Sequence, residues 1–258
     1  MAFYRYGKQP KREDARTLAF AKYLTVAAPP PPPSVDYGSS VADWGMLGND
    51  TVGDCAWAGQ AHADMLWVAN SEHEQLGLST ADVLAAYSAV TGYDPKQTEP
   101  GGENPTDQGT NLLDALGYWR STGIDGHKIT AYVEVDPKNV EHVKSAIDLF
   151  GCLYIGVELP RAVEPTSAAV PEWTVTPNGS PENKPDPKAG HCVIYDAYDA
   201  DGPNVVTWGQ RLKASWGFHG AYCDEAYAML SPDWFAAGTD PQGIDIQTLT
   251  HDLELVTG

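Results

Sequence analysis

Apolar residues recur at helical spacing in the first part of this chain and at strand spacing in the second. Helical spacing is found at residues 55–70, 80–90, 110–123 and 137–150, with one predicted strand at 129–135. After residue 151 the predicted elements are strands, at 152–159, 191–198, 204–210, 213–216 and 221–230. This order indicates an α+β protein with a helical lobe at about 38–150 and a β-rich lobe at 151–258.

Three segments fall outside this pattern. Residues 1–37 are predicted to form an N-terminal arm, in which a stiff proline run at 29–33 acts as a spacer on the domain surface. The arm is also a candidate contact for another subunit or protein. Residues 160–188 form a polar, proline-rich excursion, and residues 244–256 have the spacing of a closing helix.

Composition excludes several classes of function. The chain of 258 residues has a formal net charge of −19, which repels phosphate backbones and argues against a nucleic-acid partner. A hydrophobic content of 42% with 10% aromatics argues against disorder. No apolar run approaches the length of a membrane span, and the charged N-terminus has no secretory core, so we expect a cytoplasmic protein without a membrane partner.

One cysteine has the context of a reactive thiol. The sequence Gly53-Asp54-Cys55-Ala56 comes directly before a predicted helix, and the positive end of a helix dipole favours thiolate over thiol. Far downstream, His191 opens an apolar predicted strand after Gly190. A cysteine with a distant histidine is the outline of a thiol nucleophile and its base. We therefore predict Cys55 and His191 as catalytic residues.

A base of this kind needs a group that orients its ring. The next predicted strand offers Gln210 as the best-placed amide, with Asp199 and Asn204 as alternatives. Trp216 or Trp208 is expected to screen the histidine pair from water.

The oxyanion formed by attack on an amide needs hydrogen-bond donors. The backbone N–H of Cys55 and the side-chain amide of Asn49 are the candidates. Gly53 and Gly190, next to the two reacting residues, and Trp216 are predicted to contact substrate.

The chain resembles the papain-like cysteine peptidases in the order of several short motifs. Residues 49–58 are similar to the nucleophile motif of that family, Gly190 and His191 to its base motif, and residues 215–222 to its Trp-Gly region. The likeness covers roughly residues 34–230 and extends to papain-fold proteins of bacteria and tailed phages. It implies a two-lobed fold with a cleft between a helical and a barrel-like lobe, and a thiol hydrolase that cleaves a peptide or isopeptide amide without a cofactor or metal.

The chain departs from the family pattern at four places. Asn49 stands where glutamine is expected, and Gly209-Gln210-Arg211 replaces the Asn-Ser-Trp segment. Asp54 places a negative charge beside the nucleophile, which opposes thiolate formation. Val52 replaces a cysteine of secreted members. The alternative function is therefore a catalytically silent papain-fold protein with a structural or binding role, virion-associated if phage-encoded.

Overall fold

The computed structural model describes residues 4–24, 29–166, 170–235 and Thr248. The helix predicted at 244–256 lies outside the described residues, except for Thr248. Within these ranges, no helix is long and apolar enough to span a membrane.

Three helices build the helical lobe: α1 (Cys55–Ser71), α2 (Thr80–Thr91) and α3 (Leu112–Ser121). Their ends follow the local sequence. Ser79 and Asp82 form a reciprocal capping box at the start of α2, and Gly92 ends that helix in the left-handed conformation. Asn111 caps α3 by accepting a hydrogen bond from the Leu113 N–H. Helix α1 is buried along most of its length and forms the centre of this lobe.

An antiparallel sheet forms the other lobe. Its strands are β1 (Val35–Asp36), β2 (Ala131–Glu134), β3 (Leu153–Pro160), β4 (Pro185–Tyr198), β5 (Pro203–Thr207), β6 (Gln210–Lys213) and β7 (Cys223–Leu230). The strand order is β2-β7-β3-β4-β5-β6, and β1 pairs with β4. Two further helices, α4 (Val140–Phe150) and α5 (Trp216–Tyr222), complete the described elements.

Two elements that precede residue 151 pack with the sheet. Strand β2 pairs with β7, and the buried residues of β2 and α4 belong to the hydrophobic cluster of the sheet. A second cluster joins α1, α2 and α3 to one face of the sheet, where it includes Tyr154, Ile194 and Val206. The β-rich lobe therefore includes two elements that precede residue 151.

The strand predicted at 204–210 is in fact a hairpin. Strand β5 ends at Thr207 and β6 begins at Gln210, with these two residues paired across the sheet. The connecting residues Trp208 and Gly209 have φ of 48° and 67°. Positive φ at both central residues is what a tight two-residue hairpin requires. The chain therefore reverses before Gln210, and Thr207 and Trp208 lie at the end of the hairpin.

The first part of the N-terminal arm lies between other parts of the fold, a position that the sequence did not predict. Residues 4–9 run through the crevice between the two lobes, where they hydrogen-bond to both of them. The proline run makes a different contact, since the Pro32 carbonyl accepts a hydrogen bond from the Tyr198 hydroxyl at 2.9 Å.

Candidate active site

Cys55 is the first residue of α1, at the wall of the crevice. The Asp54 carbonyl accepts hydrogen bonds from the N–H groups of Trp57 and Ala58, which start the helix at this position. The side chain is only 1% exposed. The backbone N–H groups of Cys192, from the opposite lobe, and of Gly7, from the arm, lie close enough to the sulfur to favour its thiolate. The sulfur thus lies beside the residue that directly follows His191.

Burial decides the protonation of this thiol. Removal from water raises the pKa of Cys55 to about 12, and the two backbone N–H groups offset only part of that effect. The helix start does not produce the expected thiolate while the crevice is filled. Cys55 is therefore a neutral thiol near neutral pH in this state, and exposure to solvent is needed to activate it.

Asp54 opposes the thiolate less than the sequence suggests. Its side chain is fully buried, and burial raises the pKa of the carboxyl well above its ordinary value. The buried group holds its proton far more readily than an exposed aspartate does. The negative charge that we expected beside the nucleophile is correspondingly weakened.

His191 is held in a fixed orientation on β4. Its Nε2 lies 2.6 Å from the Thr207 hydroxyl, and its ring stacks on Trp208 with a centroid distance of 4.3 Å and an interplanar angle of 19°. Tyr6 of the arm packs edge-on against the same ring. Burial lowers the pKa of His191 to about 3, so the imidazole is neutral. A neutral ring is the form that can accept a proton.

The side chain that contacts Nε2 of His191 is that of Thr207, whereas the sequence-based prediction was Gln210. Gln210 lies across the hairpin, and its side-chain oxygen accepts from the Val170 N–H at 3.4 Å. Asp199, an alternative candidate, pairs with Lys213 at 2.7 Å. A hydroxyl can donate or accept, so Thr207 suits either tautomer. The tautomer with its proton on Nε2 leaves the Nδ1 lone pair free to receive a thiol proton.

The tryptophan that covers the histidine is Trp208. Its positive φ is unusual for a bulky side chain, and strained backbone of this kind is concentrated at functional sites. Trp216, predicted to contact substrate, instead begins α5, where its indole donates to the Asp199 carbonyl and Lys144 lies over the ring. These contacts place Trp216 away from His191.

In the part of the chain that the structure describes, no hydrogen bond joins the Cys55 sulfur to the His191 ring, whose Nε2 contacts Thr207. Nδ1 of His191 has no hydrogen-bond partner among the described residues. The arm passes between the lobes at this point, with Gly7 against the loop before Cys55 and Tyr6 against the histidine ring. The arm thus contacts both predicted catalytic residues, with the Gly7 N–H near the Cys55 sulfur and the Tyr6 ring against His191.

The arm is fixed in the crevice by backbone hydrogen bonds to both lobes. The N–H groups of Gly7 and Lys8 donate to the Gly190 carbonyl at 3.2 and 3.0 Å. On the other wall, the Thr110 N–H donates to the Gly7 carbonyl at 2.7 Å, and the Gln9 N–H donates to the Thr110 carbonyl at 3.0 Å. These contacts depend on main-chain atoms, so the crevice binds an extended chain.

Only glycine fits the arm at its narrowest point. A Cβ atom on Gly7 would lie 1.8 Å from the Gly53 carbonyl oxygen. The walls are equally close, because a Cβ on Gly109 would lie 2.1 Å from the Gly7 oxygen, and one on Gly190 would lie 2.3 Å from the Lys8 oxygen. The predicted substrate contacts Gly53 and Gly190 are thus the residues that the arm touches.

The predicted oxyanion donor is also occupied by the arm. The Asn49 amide donates to the Arg5 carbonyl at 3.3 Å and to the Val52 carbonyl at 3.1 Å. The indole N–H of Trp208 donates to the same Arg5 oxygen at 3.3 Å. A carbonyl oxygen of an extended chain therefore already uses the side chain that we expected to hold an oxyanion.

Asp107 fixes the loop that precedes the nucleophile. Its carboxylate accepts from the Gly53 N–H at 2.9 and 3.1 Å and from the Tyr87 hydroxyl at 2.6 Å. The loop before Cys55 is therefore tied to α2. As for metals, the described part of the chain contains no group of three or more His, Cys, Asp or Glu residues that could hold an ion.

The fold has counterparts among solved structures. Xylellain, a cysteine protease from Xylella fastidiosa, is similar with a TM-score of 0.65 and 14% sequence identity, over 88% of this chain and 96% of that one. The fold is papain-like. Digestive procathepsin L 3 of the Tenebrio molitor larval midgut is similar with a TM-score of 0.54 and 15% identity, over 85% and 76% of the two chains. The papain-like α+β fold predicted from the motif order is confirmed.

The sequence comparisons add nothing to this. No protein-family profile matches the chain. No curated protein matches it either.

Substitution of Thr207 tests how the histidine is oriented. We expect Thr207→Val, which keeps the shape and removes the hydroxyl, to lower kcat for peptide hydrolysis, measured with the arm displaced, by about 10- to 100-fold, which is less than the roughly 10²–10⁴-fold that a whole general base contributes. KM should change little, because Thr207 contacts the ring and not the arm. The pH dependence of kcat should also shift, because the Thr207 hydroxyl contacts the ring nitrogen of His191. Gln210→Leu is the matched control. A larger loss of kcat in Gln210→Leu than in Thr207→Val would contradict the assignment of Thr207 as the residue that orients His191.

Proposed function

We propose that the protein is a thiol hydrolase that cleaves a peptide or isopeptide amide with Cys55 and His191. The observation that supports this most is that one extended segment contacts both a cysteine at a helix start and an oriented, neutral histidine. Xylellain, whose fold is similar, is described as a cysteine protease.

The chemistry assigns one role to each residue. Nδ1 of His191 removes the proton from the Cys55 thiol, and the thiolate attacks the amide carbonyl to form a carbon–sulfur bond. The Asn49 amide and the Cys55 N–H stabilise the oxyanion. The imidazolium gives its proton to the leaving amine as the carbon–nitrogen bond breaks, and water then hydrolyses the thioester with His191 as base.

The enzyme is closed in the state described here. Residues 5–8 of the arm occupy the crevice, and the thiol below Gly7 is buried and protonated. A substrate must take the same backbone hydrogen bonds, so the arm has to leave before substrate binds. The silent structural role considered above is not favoured, because the site keeps a nucleophile, a base and an aromatic cover for that base.

A peptidyl epoxide, which alkylates reactive thiols, tests the proposal on the full chain under reducing conditions. We expect slow labelling while the arm fills the crevice and one adduct once the arm is displaced, mapped to Cys55 by mass spectrometry of proteolytic fragments. Cys152, Cys192 and Cys223 are internal controls, because each is buried and burial raises the pKa of its thiol. If no adduct forms on Cys55 even after the arm is displaced, the catalytic proposal is lost.

A further inference from the structure

The side chain of Lys8 enters a pocket in the sheet beside the crevice. Its Nζ lies 2.7 Å from Asp224 Oδ2 and 3.1 Å from Glu225 Oε1. The side chains of Lys8 and Glu225 are 1% and 0% exposed, whereas that of Asp224 is 26% exposed. A lysine buried in this way is rare, since long charged side chains are seldom removed from water unless they are paired. The position of Lys8 therefore reflects a pocket built for a cation.

The walls of the pocket suit a long, straight side chain. A Cβ atom on Gly156 would lie 2.3 Å from the Lys8 Cε and 2.5 Å from the Glu225 Cγ, so any larger residue on β3 would fill the space. The Tyr227 hydroxyl donates to Glu225 Oε2 at 2.8 Å and directs the carboxylate. Glycine on one strand and an oriented carboxylate on the next thus define the pocket.

Charge makes the pocket selective. Burial lowers the pKa of Lys8, but Glu225 and then Asp224 more than offset that effect, so the pKa is raised and the amine stays protonated. Burial raises the pKa of Glu225, and Lys8 opposes this. Removal of one partner from a buried pair leaves an uncompensated charge, which is strongly unfavourable. An apolar side chain would leave Glu225 without its cation.

We propose that this pocket, defined by Gly156, Asp224 and Glu225, is a specificity site that takes a lysine side chain of the peptide bound in the crevice. Lys8 is its resident occupant. The inference rests on the proposed function, because it assumes that a peptide replaces the arm. The backbone N–H of Lys8 donates to the Gly190 carbonyl, beside His191. The pocket therefore selects the side chain of the peptide residue that directly follows the residue lying over Cys55.

Lysine fits this pocket better than arginine does. The two carboxylate oxygens approach one nitrogen from two residues, which matches a compact ammonium group, whereas a guanidinium favours a planar, two-point contact with one carboxylate. The net charge of −19 also favours the approach of a basic peptide.

Peptide binding to full-length Lys8→Ala tests the proposal, because the pocket has lost its occupant and the arm has lost its ion pairs with Asp224 and Glu225, so that added peptide can displace it. The probe is a fluorescein-labelled heptapeptide with the sequence of residues 4–10, compared with versions carrying norleucine or arginine in place of lysine, and read by fluorescence anisotropy. We expect the lysine peptide to bind at least about 10-fold more tightly than the norleucine peptide, because only lysine forms the desolvated charge pair. The arginine peptide should fall between them. Wild type, with its pocket filled, should bind none of them.

A second variant identifies the pocket. Glu225→Gln in the Lys8→Ala background keeps the size of the side chain, and we expect it to remove the preference for lysine over norleucine while circular dichroism confirms the fold. Equal binding of the two peptides to Lys8→Ala, or binding of none, would overturn the inference. Because anisotropy needs no turnover, lysine selectivity without hydrolysis would remove only the proposed function, whereas hydrolysis without lysine selectivity would remove only this inference.

Discussion

Gly7→Leu is expected to expose the nucleophile and raise the rate of Cys55 alkylation by about 100-fold. That change corresponds to a loss of roughly 2.7 kcal/mol from the free energy that holds the arm in the crevice. The physical reason is a backbone clash. A Cβ on Gly7 would lie 1.8 Å from the Gly53 carbonyl oxygen and 2.3 Å from its carbon, and neither atom belongs to a flexible side chain. The arm must leave its position, and the sulfur then gains access to water and reagent. The measurement is the rate of epoxide adduct formation, followed by intact mass.

Gly77→Leu is the matched control for this substitution. An added Cβ at Gly77 meets no atom within 4 Å, and its backbone does not require glycine. We expect that variant to react at the wild-type rate. If Gly7→Leu remains as slow as wild type while circular dichroism shows an intact fold, the arm does not control access to Cys55.

Cys55→Ala is expected to abolish both peptide hydrolysis and epoxide labelling. Loss of a catalytic nucleophile costs about 10⁶-fold in a well-studied hydrolase, so residual turnover should fall below detection. The substitution should be made in the Gly7→Leu background, in which the crevice is open. Thermal stability should change little, because the removed sulfur makes no hydrogen bond on which the fold depends, and alanine suits a helix start.

Cys192→Ala is the control that separates the two neighbouring thiols. Cys192 follows His191 on β4, so its side chain points to the opposite face of the strand, where its sulfur lies against Gly59 of α1. We expect that variant to keep labelling and turnover. Adducts that persist in Cys55→Ala and disappear in Cys192→Ala would assign the reactive thiol to Cys192 and contradict the mechanism.

The order of helices and strands could be predicted because it depends on local apolar spacing. The start of α1 at Cys55 and the place of His191 in an apolar strand follow from the same signals. Thr207 was missed for a physical reason. The residues 204–210 have continuous strand character, but Trp208 takes a left-handed conformation that its residue type does not favour. In that conformation the Trp208 ring stacks on His191. A contact between residues far apart in the chain is not visible in the local spacing of apolar residues.

The position of the arm could not be predicted either. Residues 4–9 contain two basic side chains and two tyrosines but no aliphatic residue, so they lack the apolar run that marks a buried strand. Main-chain hydrogen bonds and close glycine contacts hold them in place, and these interactions leave almost no trace in composition. Lys8 is the clearest case, because a lysine is expected at the surface unless a buried carboxylate from a distant strand pairs with it.

The pH dependence of Cys55 alkylation in Gly7→Leu tests the central claim, that Cys55 and His191 act as a pair once the arm has left. We expect the alkylation rate to rise with pH and to level off already below about pH 7, well under the ordinary thiol pKa of about 8.5, because His191 stabilises the thiolate in the open crevice. His191→Ala in the same background should lose the plateau, so that the rate rises about tenfold per pH unit until the ordinary thiol pKa is reached. Identical profiles with and without the histidine would contradict the account.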